Sequence, residues 1–343
     1  MKLVFLSILI LGVILIITFG IYFPKEPGSQ IEKVFSIREG KRGKEIAENL
    51  KDEGLIKNAL LFRLYVITIG KSDKLQAGDY IFSPSMTISQ IAKKIISGEV
   101  IKEKITIIEG WNLRDIGFYF ENKGLFRAEE LWELVGFPLV DYSKVTDIPR
   151  PKDFSTEFDF LADKPKNLGF EGYLFPDTYE IKKGTSLEEI IRKILQNFDK
   201  KLTPELREEI KKQQKTIFEI IIIASLIEKE VKTFEDKELV SGILWKRLKN
   251  NIPLQVDATI SYITGKRTIK ISKEETEIDS PYNTYKYLGL SLGPVSNPGL
   301  ESIIAAISPK DSDFWYYLST PEGKTIFSKT LEDHNLAKAK YLK

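Results

Sequence analysis

A carboxylate stands at the end of the most apolar stretch of the chain outside its N-terminus. Residues 216–231 read Thr-Ile-Phe-Glu-Ile-Ile-Ile-Ile-Ala-Ser-Leu-Ile-Glu-Lys-Glu-Val, and Thr216 with Glu219 has the spacing of a capping box. The length predicts a helix rather than a strand, and the nearly continuous apolar surface predicts that this helix is buried. Small residues one turn before Glu228 leave room beside its carboxyl group. The helix is therefore expected to carry Glu228 to the edge of a cleft.

Partial burial would fit Glu228 for acid–base chemistry. Burial disfavours the charged form of a carboxyl group and raises its pKa toward neutral pH, which a general acid requires. The alternative is a structural glutamate that forms an ion pair with Lys232 at i, i+4. Glu230 lies roughly 200° round the helix from Glu228, so we expect it to face elsewhere and to be structural. The residues alone leave the choice for Glu228 open.

Polar side chains that could bind a hydroxylated substrate follow on the C-terminal side. Residues 254–260 alternate in polarity, which predicts an extended segment with Gln255, Asp257 and Thr259 on one side. Two loops rich in glycine and proline come next, and these residue types fix loop backbones. The candidate binding residues in the loops are Tyr282, Asn283, Tyr285 and Asn297. Hydroxyl and amide groups on rigid loops suit a carbohydrate.

The composition excludes several classes of function. Lys and Arg number 51 against 49 Asp and Glu, and the formal charge of +2 argues against a nucleic-acid partner. The chain has no cysteine and one histidine, His334, which excludes zinc sites built from cysteines or several histidines and any Cys-His catalytic pair. We therefore expect no metal and no cofactor. A length of 343 residues suits two domains.

The N-terminal residues predict a membrane anchor. Residues 3–23 form an uncharged apolar run that matches the ~20 residues a helix needs to cross a bilayer. A cleaved signal peptide would have a shorter apolar region and a small-residue cleavage site, so an uncleaved anchor is predicted. Lys2 precedes the run and Lys25 follows it beside Glu26, which favours a cytoplasmic N-terminus. We expect a single-pass protein of the cytoplasmic (inner) membrane, with the rest of the chain on the outer face, periplasmic or extracellular.

After the anchor the sequence predicts two related α/β units. Ile37-Arg-Glu-Gly recurs seventy residues later as Ile107-Ile-Glu-Gly, and the second copy carries an irregular insertion at roughly residues 131–168. The predicted divisions are 1–23 for the cytoplasmic tip and transmembrane helix, 24–30 for a linker, 31–103 for a small unit and 104–343 for a larger domain, with a second α/β unit at 104–200 and a core at 216–343.

Five segments together resemble one known family. They are Ala224-Ser-Leu-Ile-Glu-Lys-Glu, Leu254-Gln-Val-Asp-Ala-Thr, Ser280-Pro-Tyr-Asn-Thr-Tyr, Gly293-Pro-Val-Ser-Asn-Pro-Gly and Glu332-Asp-His-Asn. Their order and spacing are similar to those of the YceG-like, or MltG, family of membrane-anchored endolytic murein transglycosylases, and the resemblance covers nearly the whole chain. It implies an α+β fold with an N-terminal transmembrane helix, a small LysM-like α/β unit and a mixed α/β catalytic domain. The chain departs from the family pattern at Ser291, Leu292 and Thr325, which bears on loop shape and substrate preference.

The resemblance also implies a reaction and a catalytic residue, the first glutamate of Glu-Lys-Glu, which is Glu228. This residue would protonate the oxygen of the β-1,4 bond between MurNAc and GlcNAc inside a glycan strand. It would then accept the proton of the muramic C6 hydroxyl as that hydroxyl attacks C1, which gives a 1,6-anhydro-MurNAc end without water. The seven polar residues named above would position the glycan.

The implied partners are peptidoglycan glycan strands and peptidoglycan synthases at the membrane, and the implied role is to end the elongation of glycan strands. Two alternatives stay open. One is a membrane-tethered peptidoglycan-binding scaffold without activity. The other is a muramidase-type hydrolase in which Asp257 activates water, so that reducing ends form instead.

Overall fold

Residues 2–266 and 271–342 are described by a computed structural model, and the chain divides into two units. Unit 1 comprises Met1–Ile105 with Glu180–Thr185, and unit 2 comprises Thr106–Tyr179 with Ser186–Lys343. The predicted division lay at residues 103 and 104. The α+β fold predicted from the sequence is confirmed, whereas the LysM-like character of the small unit stays a prediction.

Unit 1 is a two-stranded sheet covered by short helices. Its elements are α1 (Lys2–Tyr22), β1 (Lys33–Ile37), α2 (Gly43–Asp52), α3 (Ala59–Thr68), β2 (Gly78–Phe82), α4 (Ile88–Ser97) and β3 (Lys102–Thr106), which ends at the boundary with unit 2. β1 and β2 pair antiparallel, with Phe35 opposite Tyr80. Side chains alternate between the faces of a strand, so Phe35 and Tyr80 enter the core while Val34 stays exposed.

The C-terminal end of α1 is part of the core of unit 1. Among the described residues, α1 is the one helix long and apolar enough to cross a membrane, over Val4–Tyr22. Ile21 belongs to the buried cluster formed by the other helices of the unit, and Ile17 packs against it. In the segment predicted as a linker, Lys25 Nζ donates a hydrogen bond to the Gly54 carbonyl at 2.9 Å. The helix therefore continues directly into a folded unit.

Unit 2 is mainly helical. Its elements are α5 (Leu113–Asn122), α6 (Ala128–Val135), a 3-10 turn (Asp159–Leu161), β4 (Thr178–Lys182, whose last three residues fall in unit 1), α7 (Leu187–Lys201), α8 (Pro204–Lys212), α9 (Ile217–Glu230), α10 (Phe234–Lys249), α11 (Asp257–Thr264), α12 (Lys273–Thr276), α13 (Leu300–Ile307), β5 (Tyr316–Ser319), β6 (Thr325–Ser328) and α14 (Leu331–Tyr341). β3 pairs with β4, and β5 pairs with β6. The order strand, helix, helix, strand, helix occurs from β1 to α4 and again from β3 to α7, in agreement with the predicted repeat.

The predicted buried helix is present as α9, which packs against α10 and α13. Thr216 and Glu219 form the expected capping box at its start, and residues 220–227 are all buried. The Asp163 carboxylate also accepts hydrogen bonds from the first N–H groups of the helix, those of Ile217 and Phe218. The first N–H groups of a helix have no carbonyl partner within the helix, and the Asp163 carboxylate supplies one. The position of α9, and with it the backbone of Glu228 and Glu230 at its C-terminal end, is therefore fixed by these contacts.

The extended segment predicted for residues 254–260 is wrong beyond Val256. Asp257 begins helix α11, so Asp257 and Thr259 do not share one side of a strand. A seven-residue polar and apolar alternation is too short to separate the two periods, and an acidic residue in the first turn favours a helix. The turn into α11 is made by Gln255, which has a φ of +55°.

Candidate active site

Glu228, the predicted catalytic residue, joins three helices. Its side chain is 9% exposed, and its Oε2 accepts hydrogen bonds from the Gly299 N–H at 3.0 Å and the Ser302 hydroxyl at 2.6 Å. Both donors lie at the N-terminal end of α13, where the helix dipole favours negative charge. Lys237 of α10 places its Nζ 3.6 Å from the same oxygen. Glu228 therefore ties α9 to α10 and α13.

This environment suits a structural carboxylate. The ion pair foreseen as the alternative forms with Lys237, rather than with Lys232. The side chain of Lys237 is only 4% exposed, and its Nζ also lies 3.7 Å from Oε2 of the exposed Glu301. The catalytic role of Glu228 stays a prediction, but one of its two carboxylate oxygens is already engaged by three partners.

Glu230, the last residue of α9, meets a different set of residues. The backbone of Ala258 and the side chain of Tyr317 lie close enough to its carboxyl group to lower its pKa, against the larger effect of burial. Burial, and next the nearby negative charge of Asp257, raises the pKa of Glu230 to about 7. A carboxyl group with that pKa is partly protonated at neutral pH and can donate a proton.

Asp257 and Tyr285 form the open side of the cluster around Glu230. The Tyr285 hydroxyl donates a hydrogen bond to Asp257 Oδ1. Asp257 is exposed, and Tyr285 and Glu230 are partly buried. Burial and the charge of Asp257 raise the pKa of Tyr285, so its hydroxyl stays a neutral donor. A protonated carboxyl group, a carboxylate and a phenol hydroxyl therefore lie together next to solvent.

A buried arginine of α10 orients Gln255 beside this cluster. Arg247 Nη2 donates to Gln255 Oε1 at 3.0 Å, and Nη1 donates to the Leu254 carbonyl at 3.0 Å. The guanidinium also lies 5.2 Å from the centroid of the Tyr316 ring. The Gln255 side chain is exposed while its backbone holds the unusual positive φ. Arg247 thus fixes an amide that solvent and substrate can reach.

Two of the predicted binding residues are used within the fold. Thr259 is fully buried, and its hydroxyl donates to the Val256 carbonyl at 2.7 Å. Asn283 is also buried, and its Nδ2 donates to the Ile278 carbonyl at 2.8 Å. Its Oδ1 accepts from the Tyr285 N–H at 2.9 Å. Asn283 therefore shapes the turn that presents Tyr285.

The other two, Tyr282 and Asn297, lie beside a second buried carboxyl group, Glu171. Asn297 Nδ2 is 3.4 Å from Glu171 Oε1, and the Tyr282 ring packs on Tyr262 with centroids 5.2 Å apart. The Tyr262 hydroxyl in turn donates to Glu171 Oε2 at 2.9 Å, and the Leu113 N–H donates at 3.1 Å. Burial raises the pKa of Glu171 to about 7. This cluster braces unit 2 internally.

The structure thus brings Asp257 and Tyr285 to Glu230 and holds Gln255 on Arg247, while Thr259, Tyr282, Asn283 and Asn297 belong to the surrounding frame. Sequence reasoning missed Arg247 and Tyr317 as members of the site and treated Glu230 as structural. The sequence did place Glu230 in the last turn of an apolar helix, but Glu228 lies in the same turn, so this signal could not separate the two glutamates. Nothing in the sequence indicated Tyr317, which comes from a strand far along the chain.

Within residues 2–266 and 271–342, no group of three or more His, Cys, Asp or Glu residues is arranged to hold a metal ion.

Comparison with known proteins gives a consistent result. A family model described as the YceG-like family matches residues 35–340. The endolytic murein transglycosylase of Bacillus subtilis (strain 168) is 33% identical over 322 residues, which cover 93% of this chain and 87% of the relative.

Two further similar proteins extend the comparison. The endolytic murein transglycosylase of Streptococcus pneumoniae serotype 2 (strain D39 / NCTC 7466) is 33% identical over 325 residues, or 91% of this chain, and the match spans 59% of that longer relative. A crystal structure of a yceG-like protein from Listeria monocytogenes aligns with a TM-score of 0.58 at 32% identity, covering 90% of this chain and 100% of that one.

Proposed function

This chain belongs to the YceG-like family, and on that premise we propose that it is an endolytic murein transglycosylase in which Glu230 is both acid and base. The relatives that bear this name align over most of the chain. The substrate is therefore the glycan strand of peptidoglycan. The assignment of the chemistry to Glu230 rather than Glu228 is drawn from the surroundings of the two side chains.

One observation carries this assignment. Glu230 has a pKa raised to about 7 and lies beside exposed Asp257 and partly buried Tyr285, next to solvent. Carboxyl groups whose pKa is raised by burial and by a neighbouring charge are typical of acid–base catalysts. Glu228 is nearly buried and is held by Ser302, Gly299 and Lys237.

The reaction uses one carboxyl group, first in its protonated form and then as a carboxylate. Protonated Glu230 gives its proton to the oxygen that links MurNAc C1 to GlcNAc, and the C1–oxygen bond breaks. The resulting Glu230 carboxylate takes the proton of the muramic C6 hydroxyl while the C6 oxygen bonds to C1. The products are a GlcNAc hydroxyl end and a 1,6-anhydro-MurNAc end, and Glu230 regains its proton. A glycosidase that adds water needs a second carboxyl group as base or nucleophile.

The neighbours of Glu230 have separate parts in this proposal. Asp257 raises the pKa of Glu230 and supplies a negative charge near the oxocarbenium-like centre that develops at C1. Tyr285 orients Asp257 through its hydroxyl. Gln255, held by Arg247, offers an amide to the sugar hydroxyl and acetamido groups.

Digestion of purified sacculi by two single variants tests the assignment. Glu230→Gln cannot donate a proton, so the release of anhydromuropeptides should fall by about 100- to 10,000-fold, the usual contribution of a general acid. Glu228→Gln, two residues away on the same helix, is the matched control and should retain activity in its folded fraction. Thermal unfolding of both variants measures that fraction. Loss of products in folded Glu228→Gln, with persistence in Glu230→Gln, would return the role to Glu228.

The hydrolase alternative rests on the exposed carboxylate of Asp257 beside Glu230. If Asp257 activated water, the products would be reducing muramic ends, heavier by one water than the anhydro products. Mass spectrometry of the released muropeptides separates the two. We expect anhydro ends from the unmutated protein. Binding to sacculi without any released product would instead identify a tethered scaffold.

The location follows from α1, an apolar helix that fits a single-pass membrane anchor. We infer a cytoplasmic N-terminus, with the catalytic residues on the outer face of the cytoplasmic membrane, where peptidoglycan is made. Cleavage inside nascent strands there would end their elongation, and synthases would be neighbours. Protease digestion of intact spheroplasts tests this orientation, because residues after α1 should be degraded while an N-terminal tag stays protected.

A further inference from the structure

Helix α3 in unit 1 carries an apolar stripe on its outer surface. Leu60, Leu64 and Ile67 are 56%, 39% and 57% exposed, and their spacing of four and three residues puts them on one face. A helix on the surface of a soluble domain normally turns polar residues outward. The outer face of α3 therefore lacks the character of a water-facing surface.

Apart from Arg63 and Thr68, the remaining residues of α3 are apolar or aromatic as well. Phe62 and Val66 are buried in the core of unit 1. Leu61 and Tyr65 face α1: a Cβ added at Gly20 would lie 2.3 Å from Leu61 Cδ1, and the Tyr65 ring lies 6.2 Å from that of Tyr22. The outer stripe begins beside this contact and is turned away from the core.

The contact with α1 sets the depth of α3. The apolar run of residues 3–23 is about 31 Å long as a helix, close to the ~30 Å of the bilayer hydrocarbon core, so the whole run is needed to span it. Gly20 then lies about 5 Å inside the end of the run. Leu61, packed on Gly20, lies at the same depth. Amphipathic helices on membranes bury their apolar face by roughly 5–10 Å.

We propose that α3 is a membrane-interface helix whose outer face of Leu60, Leu64 and Ile67 lies among the lipids of the bilayer that α1 crosses. The proposal rests on the membrane anchoring proposed above. The partner is lipid because α3 packs on α1 at Gly20, which lies at a depth where lipid surrounds the span. Both α1 and α3 then hold unit 1 at the membrane, and no flexible linker separates the unit from its anchor.

The residues around α3 fit this position. Four cationic residues, Lys57, Arg63, Lys71 and Lys74, occur in and next to the helix, with Asp73 as the acidic neighbour. Cationic side chains near the headgroups are attracted to anionic lipids. Lys57 Nζ lies 6.0 Å from the centroid of the Phe23 ring, at the end of the span. Aromatic and basic residues are typical of the interface between membrane and water.

Depth-dependent quenching in vesicles tests the proposal, and the chain helps because it has no native cysteine. The full-length protein carries one cysteine, labelled with an environment-sensitive fluorophore, and is reconstituted in phosphatidylethanolamine–phosphatidylglycerol vesicles. The vesicles contain a lipid with a nitroxide high on its acyl chain for the interface, or one with a nitroxide near the chain end for the centre of the span. The test variant is Leu64→Cys. Ile14→Cys in α1 reports the span itself, and Glu48→Cys, exposed on neighbouring α2, is the matched control.

Three outcomes separate the possibilities. Quenching at positions 14 and 64, with none at position 48, supports the membrane-interface helix. Quenching at position 14 alone overturns it and leaves the anchor in place. No quenching at either apolar position removes the anchor and the inference together. Leu60→Cys and Ile67→Cys repeat the measurement if the label at position 64 perturbs the fold, and sacculus digestion shows that each labelled protein is folded.

Discussion

At the scale of the residue, Glu228 and Glu230 are two positions apart in the sequence but have different neighbours in the structure. Glu228 meets a helix N-terminus, a hydroxyl and a buried lysine, and its charge helps to raise the pKa of nearby Glu109, after the larger effect of burial. Glu230 meets Asp257 and is partly buried, and its pKa is raised to about 7. The first arrangement holds helices together, and the second stores a transferable proton near neutral pH.

The pH profile of the enzyme should report the pKa of Glu230. The general acid must be protonated, so activity on sacculi should fall as the pH rises through about 7. Asp257→Asn removes a negative charge that raises this pKa, and the alkaline limb should move to lower pH. Each unit of such movement is a tenfold change in the protonated fraction at alkaline pH. An unchanged limb in folded Asp257→Asn would show that Asp257 does not act on the acid.

At the scale of the element, Glu228 and Lys237 keep α9 in register with α10 and α13. Lys237→Met leaves the carboxylate of Glu228 buried without its cation, and removing one partner of a buried pair costs about 3–5 kcal/mol of stability. Glu228→Leu combined with Lys237→Met removes both charges and should recover most of that loss. Urea unfolding of the two single variants and the double variant measures the coupling.

The outcome of that cycle also bears on catalysis. If Glu228 is structural, the double variant should digest sacculi at near the unmutated rate once its folded fraction is taken into account. A double variant that is stable but inactive would contradict the structural role. The readout differs from that of Glu230→Gln, which should lose activity without a comparable change in stability.

At the scale of the whole molecule, buried carboxyl groups should make stability fall as the pH rises. The pKa of Glu171 is raised to about 7 from 4.5, and that of Glu230 is raised in the same way. A raised pKa means that the folded state binds more protons than the unfolded state between these values. The stability present below about 4.5 is therefore lost as the pH passes through about 7. His334, whose pKa burial lowers to about 4 from 6.5, acts in the opposite direction between these values.

Glu171→Gln tests this dependence. Glu171 is 5% exposed, so its contribution to the change in unfolding free energy between about pH 5 and pH 8 should be on the order of 3 kcal/mol. The variant should show a flatter dependence of the melting temperature on pH, whatever its absolute stability. If the melting temperature of the variant depended on pH as steeply as that of the unmutated protein, groups other than Glu171 would be responsible for the dependence.

Much of the architecture was readable from local pattern. The apolar run of residues 3–23, the capping box of Thr216 and Glu219, and the order of strands and helices can each be read from continuous segments of the chain. Such signals are strong because helix caps and membrane spans are set by nearby residues. The prediction for residues 254–260 was wrong because a segment this short fits the period of a strand and that of a helix equally well.

By itself the sequence determined the apolar anchor, the buried helix that carries Glu-Lys-Glu and the family. Only the tertiary structure decided the partners of each glutamate, because Ser302 and Lys237 reach Glu228, and Asp257 and Tyr317 reach Glu230, from other elements of the chain. It also decided that Leu61 and Tyr65 of α3 lie against the end of α1. A pKa depends on charges and burial in three dimensions, and spacing along one helix gives only the direction in which a side chain leaves it.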